Sequence, residues 1–168
     1  FDPFIFLYHD DLDFCWRAAQ IGIKSYYVPK AKIFHIKSYN LKWSSKKFYW
    51  LERNRKYCIL THYSESTYSK MKVQLFLSEI IIWFTYIAKG FLLAKIKADL
   101  DISQNKNKIK KKYIELENKK LIEDTKLIET FPNSVFVSKY VSRNWSSTIF
   151  NKFISKLSVG AKGNILKS

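Results

Sequence analysis

Residues 6–17 constrain the fold most, because three closely spaced carboxylates follow an aromatic and apolar run in this stretch. Acidic side chains are stable in the first turn of a helix, where they meet unpaired N–H groups and the positive end of the helix dipole. Apolar residues then recur at helical spacing and are predicted to face a core. The pattern predicts an amphipathic helix from about Asp10 to Gln20, stopped by Gly22. Its carboxylates are Asp10, Asp11 and Asp13, and its apolar positions are Leu12, Cys15, Trp16 and Ala19.

The acidic cluster has both a structural and a chemical interpretation. Acids at a helix start usually cap it, and Asp13 with Arg17 at i,i+4 usually forms a surface ion pair. Neighbouring residues on a helix diverge by about 100°. Asp10 and Asp11 therefore cannot both point at one atom. If the cluster is catalytic, one acid serves a substrate while the other caps the helix or orients its neighbour.

Two short strands are predicted after this helix. Ser25 to Val28 has strand-forming residues and ends at Pro29, and Ala31 to Ile36 alternates its side chains between two faces. A helix followed by two strands is typical of the closing edge of an α/β domain.

The order and spacing of these segments resemble the acidic-pair region of family 2 glycosyltransferases. The resemblance covers about the first third of the chain, and the remainder is only loosely similar to the variable helical tail of that family. The final matching run is similar to one in rhamnosyltransferase-like members. The matching segments are Phe1-Asp2-Pro3, Phe6-Leu7-Tyr8, His9-Asp10-Asp11-Leu12-Asp13-Phe14-Cys15-Trp16-Arg17, Ile21-Gly22-Ile23-Lys24, Tyr26-Tyr27-Val28-Pro29, Ala31-Lys32-Ile33-Phe34-His35 and Tyr49-Trp50-Leu51-Glu52-Arg53-Asn54-Arg55.

The resemblance implies an α/β fold. Residues 1–62 would be the C-terminal part of a GT-A catalytic domain, on its acceptor side, and residues 63–168 a helical, basic, membrane-associated extension. The chain begins with Phe1 and shows no cleavable signal pattern. It is therefore expected to be a fragment whose upstream half carries the Asp-X-Asp donor site, and to be inactive alone.

The same resemblance implies an inverting, metal-dependent hexosyltransferase of polysaccharide or cell-envelope biosynthesis. It would move a sugar from a nucleotide-diphosphate donor to a glycan or lipid-linked acceptor, with Mg or Mn as cofactor. Asp11 would be the general base that takes the acceptor proton, and Asp10 would orient it. Where the family usually has a Glu–Asp pair, this chain has Asp–Asp.

Further site residues follow from the matching positions. His35 lies where the family often places a histidine that helps hold the metal, although histidines at strand ends are mostly structural. Arg53 either reaches a phosphate with its planar guanidinium or is a solvated residue of a docking helix that runs from Ser44 to His62. The predicted acceptor or substrate contacts are Tyr8, His9, Trp16, Arg17 and Arg53.

The charge of the chain points to a polyanionic partner. Thirty Lys and Arg residues against 14 Asp and Glu give a net charge of +16, and the aromatic share of 17% argues against a disordered basic tail. The sequence has no RRM, KH, zinc-finger or helix-turn-helix signature, so no specific nucleic acid is expected. The alternative to an enzyme is a basic, aromatic helical module that binds membrane or RNA.

The stretch from Val73 to Ala94 is the most apolar part of the chain. Its uncharged portion, Ile80 to Ala88, is bounded by Glu79 and Lys89 and is shorter than the roughly 20 residues that cross a bilayer. Aromatic residues and flanking lysines favour an interfacial helix on an anionic membrane. A core helix is the second interpretation of the same stretch, and a spanning helix is the third. The predicted location is cytoplasmic, peripheral at the inner face of the cell membrane.

Two smaller predictions concern packing. Ile114, Leu121 and Ile128 recur every seven residues and predict one seam along a mixed-charge helix. Cys15 and Cys58 lie in apolar helical contexts and are predicted to be buried free thiols, which fits a reducing compartment.

Overall fold

The computed structural model describes residues 1–34, 44–132 and 146–167, with the backbone alone at 146–150. This part of the chain contains eight helices and no strand. The helices are α1 (Asp10–Gln20), α2 (Ser45–His62), α3 (Glu65–Lys70), α4 (Lys72–Ala88), α5 (Leu92–Gln104), α6 (Lys106–Lys119), α7 (Asp124–Glu129) and α8 (Ser146–Leu166).

The predicted α/β fold is wrong. Ser25–Val28 has no regular structure, and neither do the described residues 31–34 of the second predicted strand. Strand preference reflects packing of side chains against neighbouring strands, and an isolated strand pair is marginal in water. The described residues offer these segments no sheet to join. An all-helical chain does not fit a GT-A fragment, so the resemblance to family 2 glycosyltransferases is overturned as well.

Helix α1 has the predicted boundaries but buries a different face. Gly22 follows it with φ 81°, as its role as a stop requires. Asp13 and Gln20 are buried, whereas Leu12 and Cys15 are exposed. The predicted apolar face of α1 is therefore wrong, and so is the predicted burial of Cys15. The reason is that α1 packs against the C-terminal end of α2, where His62 requires a polar partner.

Helix α2 lies at the centre of the first of two compact units. This unit comprises Phe1–Tyr63 and Thr85–Ile122, and α2 packs there against α5 and α6. The side chain of Ser44 caps α2 by accepting a hydrogen bond from the Lys47 N–H at 3.3 Å. Helix α2 thus confirms the predicted helix between Ser44 and His62. The apolar core of the unit contains Ile5, Tyr57, Cys58 and Ile109.

The second unit comprises Ser64–Phe84 and Glu123–Ser168. Helix α8 packs there against α3 and α7. Ser64 caps α3 by accepting a hydrogen bond from the Thr67 N–H at 3.2 Å, and its own N–H donates to the Asp124 carboxylate at 2.8 Å.

The apolar stretch from Val73 to Ala94 does not form one helix. It is interrupted at Gly90, whose φ of 75° favours glycine, so α4 ends before this turn and α5 begins after it. Among the helices of the described ranges, none has both the length and the apolar character needed to cross a membrane.

The predicted heptad seam is also wrong. Helix α6 ends at Lys119, and Leu121 beyond it is 76% exposed. The N–H groups of Leu121 and Ile122 both donate to the carbonyl of Gln20, at 2.9 and 3.0 Å. This contact with the end of α1 holds the chain in a non-helical conformation, which a periodicity argument cannot detect.

Candidate functional site

A strained turn precedes the acidic residues of α1. Tyr8 and His9 have φ values of 67° and 63°, which place two consecutive non-glycine residues in the left-handed region. A residue held in such a conformation costs about 1–3 kcal/mol, and the cost is greatest for bulky side chains. We call this turn together with Asp10 and Asp11 the acidic tip.

Asn54 on α2 holds the turn in place. Its side chain is fully buried, and Nδ2 donates to the carbonyls of Leu7 at 2.7 Å and Tyr8 at 2.9 Å. These two bonds use both hydrogens of the amide nitrogen. Because an unpaired buried carbonyl is costly, the two bonds fix the backbone immediately before the acids. Sequence reasoning missed this role, and only the position of Asn54 within the Arg-Asn-Arg run could have indicated it.

Arg53 lies in the interior of the same unit, close to the acidic tip. Its guanidinium sits over the rings of Phe4 and Trp50, with 4.4 and 4.3 Å to their centroids. It donates to the Phe4 carbonyl and lies 3.4 Å from the Asp101 carboxylate. Arg53 therefore braces the segment that leads into the turn.

The two acids of the tip have different surroundings. Asp11 is exposed, and its Oδ1 accepts the N–H of Leu12 at 2.8 Å, whereas Asp10 is half-buried. Burial lowers the pKa of the neighbouring His9, and the negative charge of Asp11 only partly opposes this. A lowered pKa keeps His9 neutral near pH 7. The Nδ1 atom of His9 is buried, and the described residues give it no hydrogen-bond partner.

The third acid, Asp13, belongs to a buried cluster that joins α1 to α2. Its carboxylate accepts hydrogen bonds from His62 Nε2 at 3.0 Å and from Arg17 Nη2 at 2.8 Å. The ring of Trp16 stacks on His62, and the Gln20 amide donates to the His62 carbonyl at 2.8 Å. Two of the predicted substrate contacts, Trp16 and Arg17, are thus brought together in this cluster. Because His62 lies far from α1 in the sequence, spacing gave no signal for it.

The Asp13 cluster predicts a pH dependence of stability. Burial alone would raise the pKa of Asp13, but hydrogen bonds from His62 and Arg17 outweigh it and hold the pKa below its usual value. The stabilisation is present above the unfolded pKa of about 3.9 and is lost as the pH falls through the lower folded pKa. We expect Asp13→Asn to be less stable at pH 7 and to lose less stability between pH 5 and 2. Urea unfolding of both proteins measures this, with the exposed Glu129→Gln as control; equal losses would contradict it.

A cleft of about 230 Å³ lies between α1 and α6. Phe14, Ile21 and Leu116 give it apolar walls, and Arg17, Lys112 and Lys119 bring three cations to it. Glu115 lies among them, and hydrogen bonds from Lys119 and Lys112 lower the pKa of its carboxyl. Arg17 is paired with Asp13, and both lysines are paired with Glu115, so a phosphate would share these cations with the carboxylates while an apolar portion met the walls.

An exposed apolar surface runs along the part of α4 that belongs to the second unit. We define the apolar stripe as Val73, Phe76, Ile80 and Phe84, which lie on one helix face at spacings of three and four. Phe76 and Phe84 are 64% and 69% exposed. Lys70 and Lys72 stand at the beginning of this segment. Together these features are typical of a helix lying in a membrane interface.

The predicted metal ligand His35 lies outside the described residues. Asp10 and Asp11 offer the oxygen atoms that Mg and Mn prefer, but they are adjacent on a helix and diverge. Among the residues that the structure describes, no group of three possible ligands includes either acid. The described residues therefore do not fit a metal site at the acidic tip.

Comparison with protein-family models, with curated proteins and with solved structures found no match.

Proposed function

We propose that the acidic tip is the general-base site of a sugar transferase. The Asp11 carboxylate takes the proton from an acceptor hydroxyl as that oxygen attacks the anomeric carbon of a nucleotide-diphosphate sugar. The new C–O bond forms while the bond to the diphosphate breaks, and the nucleoside diphosphate leaves with the bonding electrons. Because the hydroxyl oxygen attacks from the side opposite the leaving group, the configuration at the anomeric carbon is inverted.

The observation that carries this proposal is the strained turn at Tyr8 and His9, which Asn54 holds from below. Such strain persists only where the surrounding structure enforces it, and it concentrates at functional sites. Here the turn is followed by Asp10 and then by the exposed carboxylate of Asp11, which an acceptor can reach. In this proposal the half-buried Asp10 and the neutral His9 orient the acceptor.

The cleft between α1 and α6 supports a phosphorylated substrate. Arg17 presents a guanidinium shared with Asp13, and Lys112 and Lys119 add two ammonium groups shared with Glu115. Phe14 and Arg17 follow Asp10 on α1 at spacings of four and seven residues, so the cleft and Asp10 lie along one face of this helix. A glycan or lipid-linked acceptor with a phosphate would fit this arrangement. Mg or Mn as the cofactor of this transfer stays a prediction from the sequence.

The experiment is a transfer assay on the full-length protein. A panel of nucleotide-diphosphate sugars is offered with free glycans and with lipid-linked acceptors, and both nucleoside diphosphate release and product are quantified. Acceptor-dependent release with product formation supports the proposal. No turnover with any donor and acceptor pair, in a protein that is shown to be folded, contradicts it.

A second function is favoured by the apolar stripe. We propose that the protein lies on the anionic inner face of the cell membrane, with the α4 stripe in the lipid interface. The four stripe residues would insert between headgroups, while Lys70 and Lys72 and the net charge of +16 attract the anionic surface.

This membrane proposal predicts a specific loss of vesicle binding. Phe76→Ser with Phe84→Ser should weaken binding to vesicles of phosphatidylcholine with phosphatidylglycerol about 30-fold, since each ring contributes about 1 kcal/mol when partly inserted. The control is Tyr27→Ser with Phe34→Ser, which removes two almost fully exposed aromatic residues that are not part of the stripe. Vesicle co-sedimentation measures both. Equal binding by the stripe variant and the wild type would contradict the proposal, and competition by RNA at low salt would favour a nucleic-acid module.

A further inference from the structure

A second cleft, of about 400 Å³, lies between the beginnings of α2 and α5 in the first unit. Its size is within the range of small-molecule sites. None of its lining residues also lines the cleft between α1 and α6. The lining residues are Ser45, Lys46, Tyr49, Trp50, Leu93, Ala94 and Lys97.

The walls of this cleft are aromatic and fixed. The Tyr49 hydroxyl donates to the Asp101 carboxylate at 2.5 Å, and the Trp50 ring is covered on one side by the Arg53 guanidinium. Ala94, a residue of α5 that also lines the cleft, is buried.

Two cations stand at the edge of the cleft. Lys46 and Lys97 are both exposed, and neither has an acidic partner in the described part of the chain. The Lys97 ammonium lies 5.2 Å from the centre of the Tyr49 ring, which holds it beside the aromatic wall. Two uncompensated ammonium groups beside a cleft attract a compact anion such as a phosphate.

The rim of the cleft is apolar along α5. Leu93 is 80% exposed, and Ile96 and Leu100 continue the same helix face at spacings of three and seven residues. A soluble phosphate compound would leave these side chains in water. An amphiphile would cover them with its chains and place its headgroup between the lysines.

We propose that this cleft binds the phosphate headgroup of a single anionic glycerophospholipid. The inference rests on the proposed membrane association and deepens it by naming a discrete headgroup site. The phosphate contacts Lys46 and Lys97, and the acyl chains lie along Leu93 and Leu100. Binding at this site is saturable, unlike the diffuse attraction of a basic surface.

The test uses a soluble lipid, dihexanoyl phosphatidic acid below its micelle concentration, titrated calorimetrically into the full chain. Each lysine near a headgroup contributes about fivefold to the affinity, so Lys46→Gln with Lys97→Gln should weaken binding about 30-fold. The matched control, Lys110→Gln with Lys111→Gln, removes the same charge from the exposed side of α6 and should leave binding unchanged. Inorganic phosphate should bind at least about tenfold more weakly, because it leaves the apolar rim uncovered.

Three results would overturn the headgroup site. They are no saturable binding to the wild type, equal losses in the two lysine variants, or inorganic phosphate that binds as tightly as the lipid. The last would identify a free-phosphate site. Failure of the membrane proposal is distinguishable, because soluble lipid would then still bind in the cleft while the stripe variant and the wild type behaved alike on vesicles.

Discussion

Asp11→Asn is expected to abolish sugar transfer in the full-length protein while leaving donor binding nearly unchanged. The amide keeps the size of the side chain and its hydrogen bond to the Leu12 N–H, but it cannot accept the acceptor proton. General-base catalysis typically contributes about 10²–10⁴-fold, so turnover should fall by that factor. Steady-state transfer rates, together with calorimetric binding of the nucleotide-diphosphate sugar, measure the two effects separately.

The controls separate a base from a capping residue. Asp10→Asn should reduce turnover less than Asp11→Asn does, because Asp10 is half-buried and proposed only to orient the acceptor. Glu65→Gln removes an exposed acid from the first turn of α3 and should change nothing in transfer. Full activity of Asp11→Asn would refute the assignment of the base. Equal losses in all three variants would show a general charge effect.

Glu52→Leu is expected to destabilise the protein by about 3 kcal/mol, because it removes a buried anionic partner of a buried cation. Lys95 on α5 is fully buried, and its ammonium lies 2.7 Å from Glu52 and 3.0 Å from Asp99. Glu52 also binds Arg55 at 2.8 Å. Removing the Glu52 carboxylate takes away an anion that lies 2.7 Å from the buried ammonium of Lys95, whereas Asp99, which remains, is more exposed. Urea denaturation measures the change in the free energy of unfolding.

A double variant tests the physical reason for this loss. Glu52→Leu combined with Lys95→Met removes both buried charges and should recover more than half of the lost stability. The exposed pair of Glu115 and Lys119 provides the contrast, since Glu115→Gln should cost no more than about 1 kcal/mol. If the loss in the double variant equals the sum of the losses in Glu52→Leu and Lys95→Met, the two residues are not coupled and this reason is contradicted.

The helices with strong local signals could be predicted from the sequence. The acids at the start of α1, Gly22 after its end and the Ser44 cap of α2 act within a few residues, so their positions predict helix boundaries well. The two strands could not be judged in this way. Their existence depends on neighbours far along the chain, and the β-branched and aromatic residues at 25–34 are equally compatible with an irregular segment.

The candidate site was predictable only in part. Asp10 and Asp11 stand out in the sequence, and their place at the start of α1 follows from local rules. Their support does not, because Asn54 reaches carbonyls 46 and 47 residues earlier in the chain. The buried face of α1 was mispredicted for the same reason. Hydrophobic periodicity assumes an apolar partner, whereas His62 on α2 selects Asp13 and Gln20.

The attachment of residues 121 and 122 to Gln20 has a consequence for the order in which the chain acquires its structure. The first unit is discontinuous, since residues 64–84 separate its two parts. The turn at Tyr8 and His9 and its brace on α2 arise from residues 1–62, so they can assemble before residues 85–122 are synthesised. The hydrogen bonds to the Gln20 carbonyl need residues 121 and 122, about a hundred residues later in the chain, and closing so long a loop is slow. A nascent chain therefore presents its acidic tip before the unit that carries it is complete.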